Sequence, residues 1–170
     1  MERSLQVINQ LVADGVIEKY AIGGAMAVPF YIEPDTTFDL DIFFLLSAEA
    51  ERGLALLAPI YQYLEARGYR AEGEAVMIED LPVQFIPAFN PLIEEAVERA
   101  NQLEFAGIPV TVMSAEHLMA IMLQTGRGKD FARILRFLEK DAVDLSNLNE
   151  IIERHSLVSS WNEFRQRFGL

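Results

Sequence analysis

The sequence predicts an α+β fold in which a strand-bearing core is followed by a helical tail. Short, strongly apolar runs bounded by glycine, proline or acidic turns alternate with helical segments up to about residue 113. Beyond Ser114 every segment carries apolar residues three and four apart. The composition is that of an ordered globular chain: 170 residues, 51% hydrophobic and 24% charged. That length fits one domain core of about 100 to 150 residues with a small helical extension, so the expected division is 1–113 and 114–170.

Leu5, Ile8, Leu11 and Val12 stand at helical spacing and predict a short amphipathic helix ending near Gly15. Ile17 to Ile22 reads as a strand closed by Gly23 and Gly24, and Ala25 to Tyr31 as a short helix before a loop at Pro34. Phe38 to Leu46 is a second strand, apolar except for Asp39 and Asp41. Leu54, Leu57, Tyr61 and Leu64 place a helix over 48–67, stopped by Gly68. Tyr69 to Ile78 and Leu81 to Ala88 form a hairpin about Glu79 and Asp80, Pro91 opens a helix to about Leu103, and Ile108 to Met113 is the last strand.

Composition also limits partners. A balance of 26 acidic against 14 basic residues, −12 in formal charge, repels nucleic acid and acidic membranes over most of the surface, so a bound polyanion has to meet a local basic patch. The chain has no cysteine, which removes disulfides, a thiolate nucleophile and zinc-thiolate chemistry. No run approaches membrane-spanning length and the start MERSLQVINQ lacks the pattern of an export signal, so a cytoplasmic protein with no membrane partner is expected.

The two aspartates raise a physical problem. Side chains alternate along a strand, so Asp39 and Asp41 share one side, roughly 6 to 7 Å apart at the Cα level, while Phe38, Leu40 and Ile42 take the other. Like charges set into an apolar strand repel unless a cation lies between them. Mg²⁺ suits such a pair, because it takes one or two carboxylates and completes its shell with water and phosphate oxygens. Gly23 and Gly24 stand where a strand gives way to a helix, and bare backbone there lets N–H groups approach a phosphate. The GxGxxG spacing of a dinucleotide site is absent.

The order YAIGGAMAV, then TTFDLDIFF, resembles the signature of the DNA polymerase β-like nucleotidyltransferase superfamily, in which a GG or GS turn precedes a DxD pair. The later stretch SAEHLMAIMLQTGRGKDFARI resembles the helical segment of small bacterial nucleotidyltransferases related to abortive-infection toxins of type IV toxin–antitoxin pairs. The resemblance implies a nucleotidyltransferase fold: a short mixed β-sheet with flanking helices and a C-terminal helical subdomain. It implies that Asp39 and Asp41 are catalytic and hold Mg²⁺, that Gly23 and Gly24 contact the triphosphate, and that a nucleoside monophosphate passes from an NTP to an acceptor hydroxyl of RNA, protein or a small molecule. Thr37 and Asp130 join the nucleotide-binding candidates, and a toxin or antitoxin chain becomes a candidate partner.

Two positions depart from that pattern. Where a third carboxylate is expected on a neighbouring strand, LPVQFIPAF offers Gln84, whose amide carries no charge and cannot act as a base. Glu74, Glu79 and Asp80 are alternatives among which the sequence does not choose. Met122 stands where related toxins carry lysine. These departures favour a second reading, a catalytically degenerate module of the same fold that binds nucleotide or serves as an antitoxin or assembly partner.

Lys129, Arg133, Arg136 and Lys140, spaced four, three and four, stack on one helix face opposite Phe131, Ile134, Leu135 and Leu138. Such a stripe is ordinarily a solvated face; its functional reading is that Arg127 and Lys129 reach an NTP phosphate or an RNA acceptor. His117 and His155 read as helix-end residues with no second ligand nearby in sequence, and Trp161, Phe164 and Phe168 as a packing stripe.

Overall fold

The structure is a computed structural model that describes residues 1–33, 37, 39–45 and 56–170. Among these, helix α1 (Glu2–Ala13) leads into strand β1 (Lys19–Ile22), the single turn α2 (Gly24–Ala27) and a 3-10 turn at Val28–Phe30. Strand β2 (Leu40–Leu45) and helix α3 (Ala58–Glu65) follow, then strands β3 (Arg70–Glu72), β4 (Ala75–Ile78) and β5 (Leu81–Pro87). Helix α4 (Pro91–Glu98) precedes β6 (Asn101–Phe105) and β7 (Ile108–Val112). The chain closes with α5 (Ala115–Thr125), α6 (Gly128–Glu139), α7 (Leu145–Arg154) and α8 (Val158–Phe168).

The strands form one mixed sheet in the order β3-β4-β5-β2-β1-β7-β6. β1 runs antiparallel to β2 and parallel to β7, and β2 runs parallel to β5. The remaining neighbours are antiparallel hairpin pairs. The α+β expectation holds, with a wider sheet than the sequence suggested. The segment from Tyr69 to Ile78 is two strands, turned at Gly73, which takes φ +65°. The helix expected to reach Leu103 stops at Glu98, and Asn101–Phe105 returns as an edge strand paired with β7. Alternation explains this: Leu103 and Phe105 are half-buried while Asn101, Gln102 and Glu104 are exposed. The turn at Ala106 and Gly107, with φ of 50° and 81°, is a two-residue hairpin connection with both central residues left-handed. Phe38, Leu46 and much of the helix expected over 48–67 lie outside the described residues; its visible part ends before Gly68, at φ +88°.

Leu40, Ile42 and Phe44 of β2 are almost completely buried, on the face where Tyr20 hydrogen-bonds Asn9 of α1 at 2.7 Å. Ser4 of α1 donates to the Ile78 carbonyl at 2.9 Å, fixing that helix across the sheet. On the other face α4 packs against β1 and β2, and α5 packs on α4. Asn90 and Ser114 cap these two helices through their side-chain oxygens. Helix α5 in turn touches α6, α7 and α8, so buried residues from Leu5 to Phe164 belong to one hydrophobic cluster. The aromatic stripe of α8 is packing: Trp161 and Phe164 are buried, with Phe131 of α6 at 5.5 Å from the Phe164 ring.

Candidate functional site

β2 carries Asp41 and Phe43 on the face opposite Leu40 and Ile42, and Asp39 immediately precedes the strand. All three line a cleft of about 560 Å³, together with Gly24 and Thr37. The start of α6 adds a basic rim, Arg127, Lys129 and Arg133 with Asp130, to the same lining. Of the sequence candidates, Gly23 and the alternative carboxylates Glu74, Glu79 and Asp80 do not line this cleft.

The glycines are required by packing. At Gly24, φ is +58° and an added Cβ would fall 1.8 Å from Asp41 Oδ2. At Gly23 it would fall 2.5 Å from the Phe43 ring. The Gly23 N–H donates to the Asp41 carbonyl at 3.0 Å, so the strand end and the aspartate strand are locked in register. The helix expected after the glycines is only one α-turn, because the chain tightens to 3-10 geometry at Pro29, which has no N–H to continue the ladder. Its dipole is correspondingly small.

Burial pushes the Asp41 carboxyl above its ordinary value, the charge of Asp39 pushes it the same way, and Arg127, Lys129 and Arg133 oppose. Among the described residues no ion pair joins these cations to Asp39 or Asp41. Arg127 Nε instead donates to Asp130 Oδ2 at 2.7 Å, and Arg133 Nη1 lies 3.5 Å from Asp130 Oδ1. Asp130 is 1% exposed, so a buried carboxylate anchors two arginines at the rim of the cleft. The second half of the basic stripe serves a different purpose: Lys140 pairs with the Glu33 carboxylate at 2.8 Å and Arg136 donates to the Glu33 carbonyl.

Gln84 is the β5 partner of Asp41 in the parallel register, so an amide stands where a further carboxylate would face the pair. Its Nε2 lies 3.4 Å from Glu74 Oε2. Glu79 is engaged elsewhere, with Tyr69 at 3.0 Å and Arg3 at 3.6 Å. Of the acidic alternatives, Glu74 is thus the one that contacts Gln84. Among the described residues no group of three or more His, Cys, Asp or Glu could hold a metal ion. The pair fits Mg²⁺ as a partial ligand set: two hard oxygen donors, one kept partly desolvated, leave coordination positions for water and phosphate.

Sequence reasoning missed the apolar side of the cleft, which Ile86, Phe89, Ile93, Leu118, Ile121 and Met122 provide. Phe89 was the available signal, a large aromatic just before the α4 cap Asn90 and outside both the strand and the helix repeat. His117 and His155, remote in sequence, meet at Glu95: His155 Nε2 is 2.7 Å from Oε2 and His117 Nε2 is 3.5 Å from Oε1. The latter is too long for a hydrogen bond.

No protein-family model matches the chain, and no curated protein matches it in sequence. Solved structures do resemble it. The antibiotic-resistance factor ANT(2'')-Ia in solution superposes with a TM-score of 0.53 at 16% identity, over 97% of this chain and 96% of that one. A crystal structure of ANT(2'')-Ia with adenylyl-2''-tobramycin gives 0.51 at 16% identity, over 96% and 98%. An antigenic nucleotidyltransferase-like protein from Paracoccidioides brasiliensis gives 0.57 at 14% identity, over 94% and 92%. The mixed sheet, its flanking helices and the helical C-terminal segment together are therefore the fold of these nucleotidyltransferase-like neighbours.

Proposed function

We propose that this protein is a Mg²⁺-dependent nucleotidyltransferase that moves a nucleoside monophosphate from an NTP to an acceptor hydroxyl. One observation carries the reading: Asp39 and Asp41 share a cleft with Gly24 and with a basic rim whose arginines are anchored on Asp130 rather than on the pair. The likeness in fold supports the reaction class, and the acceptor named for ANT(2'')-Ia is not carried over at these identities.

In this reading residues 1–113 form the nucleotidyltransferase core and 114–170 the helical subdomain that brings the basic rim to it. Asp39 and Asp41 hold Mg²⁺, which when bound neutralises charge on the phosphate being transferred. The bare backbone at Gly23 and Gly24 leaves room for the triphosphate beside Asp41. Thr37, Arg127 and Lys129 bind its oxygens, and Asp130 holds the Arg127 guanidinium in place for that contact. Catalysis is mostly positioning and charge compensation. Gln84 cannot take the proton of the attacking hydroxyl, and of the alternative carboxylates Glu74 is the one in contact with it, from outside the cleft lining. An RNA acceptor is supported by the basic start of α6 on an otherwise acidic chain, and a toxin or antitoxin partner in the cytoplasm belongs to the same proposal.

The second reading, a nucleotide-binding module without turnover, is favoured by one feature, the amide of Gln84 in register with Asp41. Incubation of the purified protein with α-labelled NTPs, Mg²⁺ and bulk RNA separates the two. Label transfer is expected, falling by at least about a hundredfold in Asp39→Ala and Asp41→Ala, a loss of the size seen when transition-state charge stabilisation is removed. NTP binding without transfer selects the module, and absence of both rejects the nucleotide site.

A further inference from the structure

Strand β6 ends the sheet, so only one of its two sides is paired. It meets β7 in an unbroken antiparallel register, from Asn101↔Val112 to Phe105↔Ile108. The Phe105–Ile108 pair closes a two-residue loop and is therefore a hydrogen-bonded pair, and bonded and non-bonded pairs alternate from there. Asn101, Leu103 and Phe105 direct their backbone groups to β7, whereas Gln102 and Glu104 direct theirs outwards. Pro109 fits this phase: it stands opposite Glu104, where the ladder needs no donor, and its carbonyl turns away from β6 to accept from Asn9 Nδ2 at 2.8 Å. Among the described residues no backbone hydrogen bond ties Gln102 or Glu104 to another element. Edge strands are usually blunted by a bulge, a proline, a lysine or extreme shortness. β6 has none of these in its sequence NQLEF, whereas β3 at the other edge has three residues, two of them charged.

We infer that β6 is a self-pairing edge, joined by β6 of a second copy of this chain in antiparallel register about a two-fold axis at Leu103. Side-chain chemistry selects that register from its neighbours. Centring the axis on Glu104 sets this carboxylate against its own copy, like charges directly opposed. Centring it on Gln102 sets Glu104 against Ala100, beyond the end of the strand. Centring it on Leu103 sets Gln102 of each copy opposite Glu104 of the other, so that both outward residues exchange backbone hydrogen bonds and an amide faces each carboxylate. Leu103 then meets its own copy on the other face, in the closely spaced non-bonded pair, which covers a residue that is half-buried in the single chain. Electrostatics and apolar burial thus favour the same alignment, and it is isologous, as a two-fold dimer requires. β1 and β7 separate β6 from β2, so the pairing leaves the Asp39–Asp41 cleft open.

The test is sedimentation equilibrium of the full chain from about 1 to about 100 µM, the range expected for a small, transient interface. Association to twice the 19.2 kDa of the chain is expected. Gln102→Glu opposes like charges at both symmetric pairs and should weaken the dimer about tenfold, whereas Gln102→Lys opposes unlike charges and should tighten it by about the same factor. Gln6→Glu makes the same charge change on α1, away from the edge, and should leave association unchanged, which separates pairing at β6 from general repulsion in an acidic chain. Gln102 and Gln6 are both exposed, so the fold is kept in each variant. A monomer at every concentration overturns the inference and leaves the edge to a strand of another protein. A dimer indifferent to both changes at Gln102 overturns it too, by placing the interface elsewhere.

Discussion

Gly24 and Asp41 are two halves of one packing decision. The 1.8 Å that separates a hypothetical Cβ from Asp41 Oδ2 means that any side chain at position 24 displaces the carboxylate, and φ +58° adds backbone strain for a residue other than glycine. Keeping that carboxylate partly buried beside Asp39 has a thermodynamic consequence. With its pKa raised by burial and by Asp39, folded Asp41 holds its proton more tightly than the unfolded chain does. The stability this confers is complete below the ordinary 3.8 and is lost as the pH rises through the raised value. Asp41→Asn is therefore expected to melt higher than wild type at pH 7 without Mg²⁺, by a few degrees, with the difference vanishing below pH 3.8. Mg²⁺ should raise the wild-type melting temperature and leave the variant unmoved, and thermal melts at both pH values with and without the ion check all three statements. A variant less stable than wild type at neutral pH would contradict them.

At the level of elements, the position of α5 matters most, because it forms part of the apolar wall and also joins α4 to the other C-terminal helices. Glu95 of α4 is the electrostatic tie. It accepts two hydrogen bonds from Arg154 of α7, at 2.9 and 2.8 Å, and lies 2.7 Å from the His155 ring nitrogen and 3.3 Å from Arg99. Burial raises its pKa, but the hydrogen bonds of Arg154 and His155 and the charges of Arg154 and Arg99 outweigh it and hold the carboxyl at about 2. Its stabilisation is present above the ordinary 4.5 and is lost as the pH falls towards 2. His117 is held in the opposite sense: burial lowers its pKa and the neighbouring Glu95 only partly offsets this, so the ring on α5 stays neutral near pH 7. Glu95→Gln should cost about 1 kcal/mol at pH 7, since the Arg154 side chain is 40% exposed and water screens the pair. Urea denaturation at pH 7 and at pH 2 checks this, with the deficit shrinking at the lower pH. Neither histidine spacing nor charge pattern disclosed this cluster, because His117, Arg154 and His155 lie 22 to 60 residues from Glu95 in the chain.

For the whole molecule, the core shared across α4, α5 and the sheet implies one cooperative unit even where the proposed functional division falls at residue 113. Far-ultraviolet circular dichroism and Trp161 fluorescence should report coincident unfolding transitions, since the tryptophan sits in the last helix and all the described strands lie before residue 113. Two separated midpoints would show that the helical segment folds on its own. No helix among the described residues is long and apolar enough to cross a membrane. What the sequence determined by itself was local: strand alternation set Asp41 on the face opposite Leu40 and Ile42, paired glycines marked the end of the neighbouring strand, and three-and-four spacing fixed the C-terminal helices. Edge strand β6 escaped because its weak alternation follows directly on a helical run and becomes decisive only when β7 supplies hydrogen-bond partners. Tertiary structure alone decided which distant groups meet: the β2–β5 register that sets Gln84 against Asp41, the burial of Asp130 beside two arginines, and the apolar residues that share one cleft with the charged rim. Periodicity encodes which face a side chain takes along its own element, whereas register and packing between elements depend on contacts that no single segment contains.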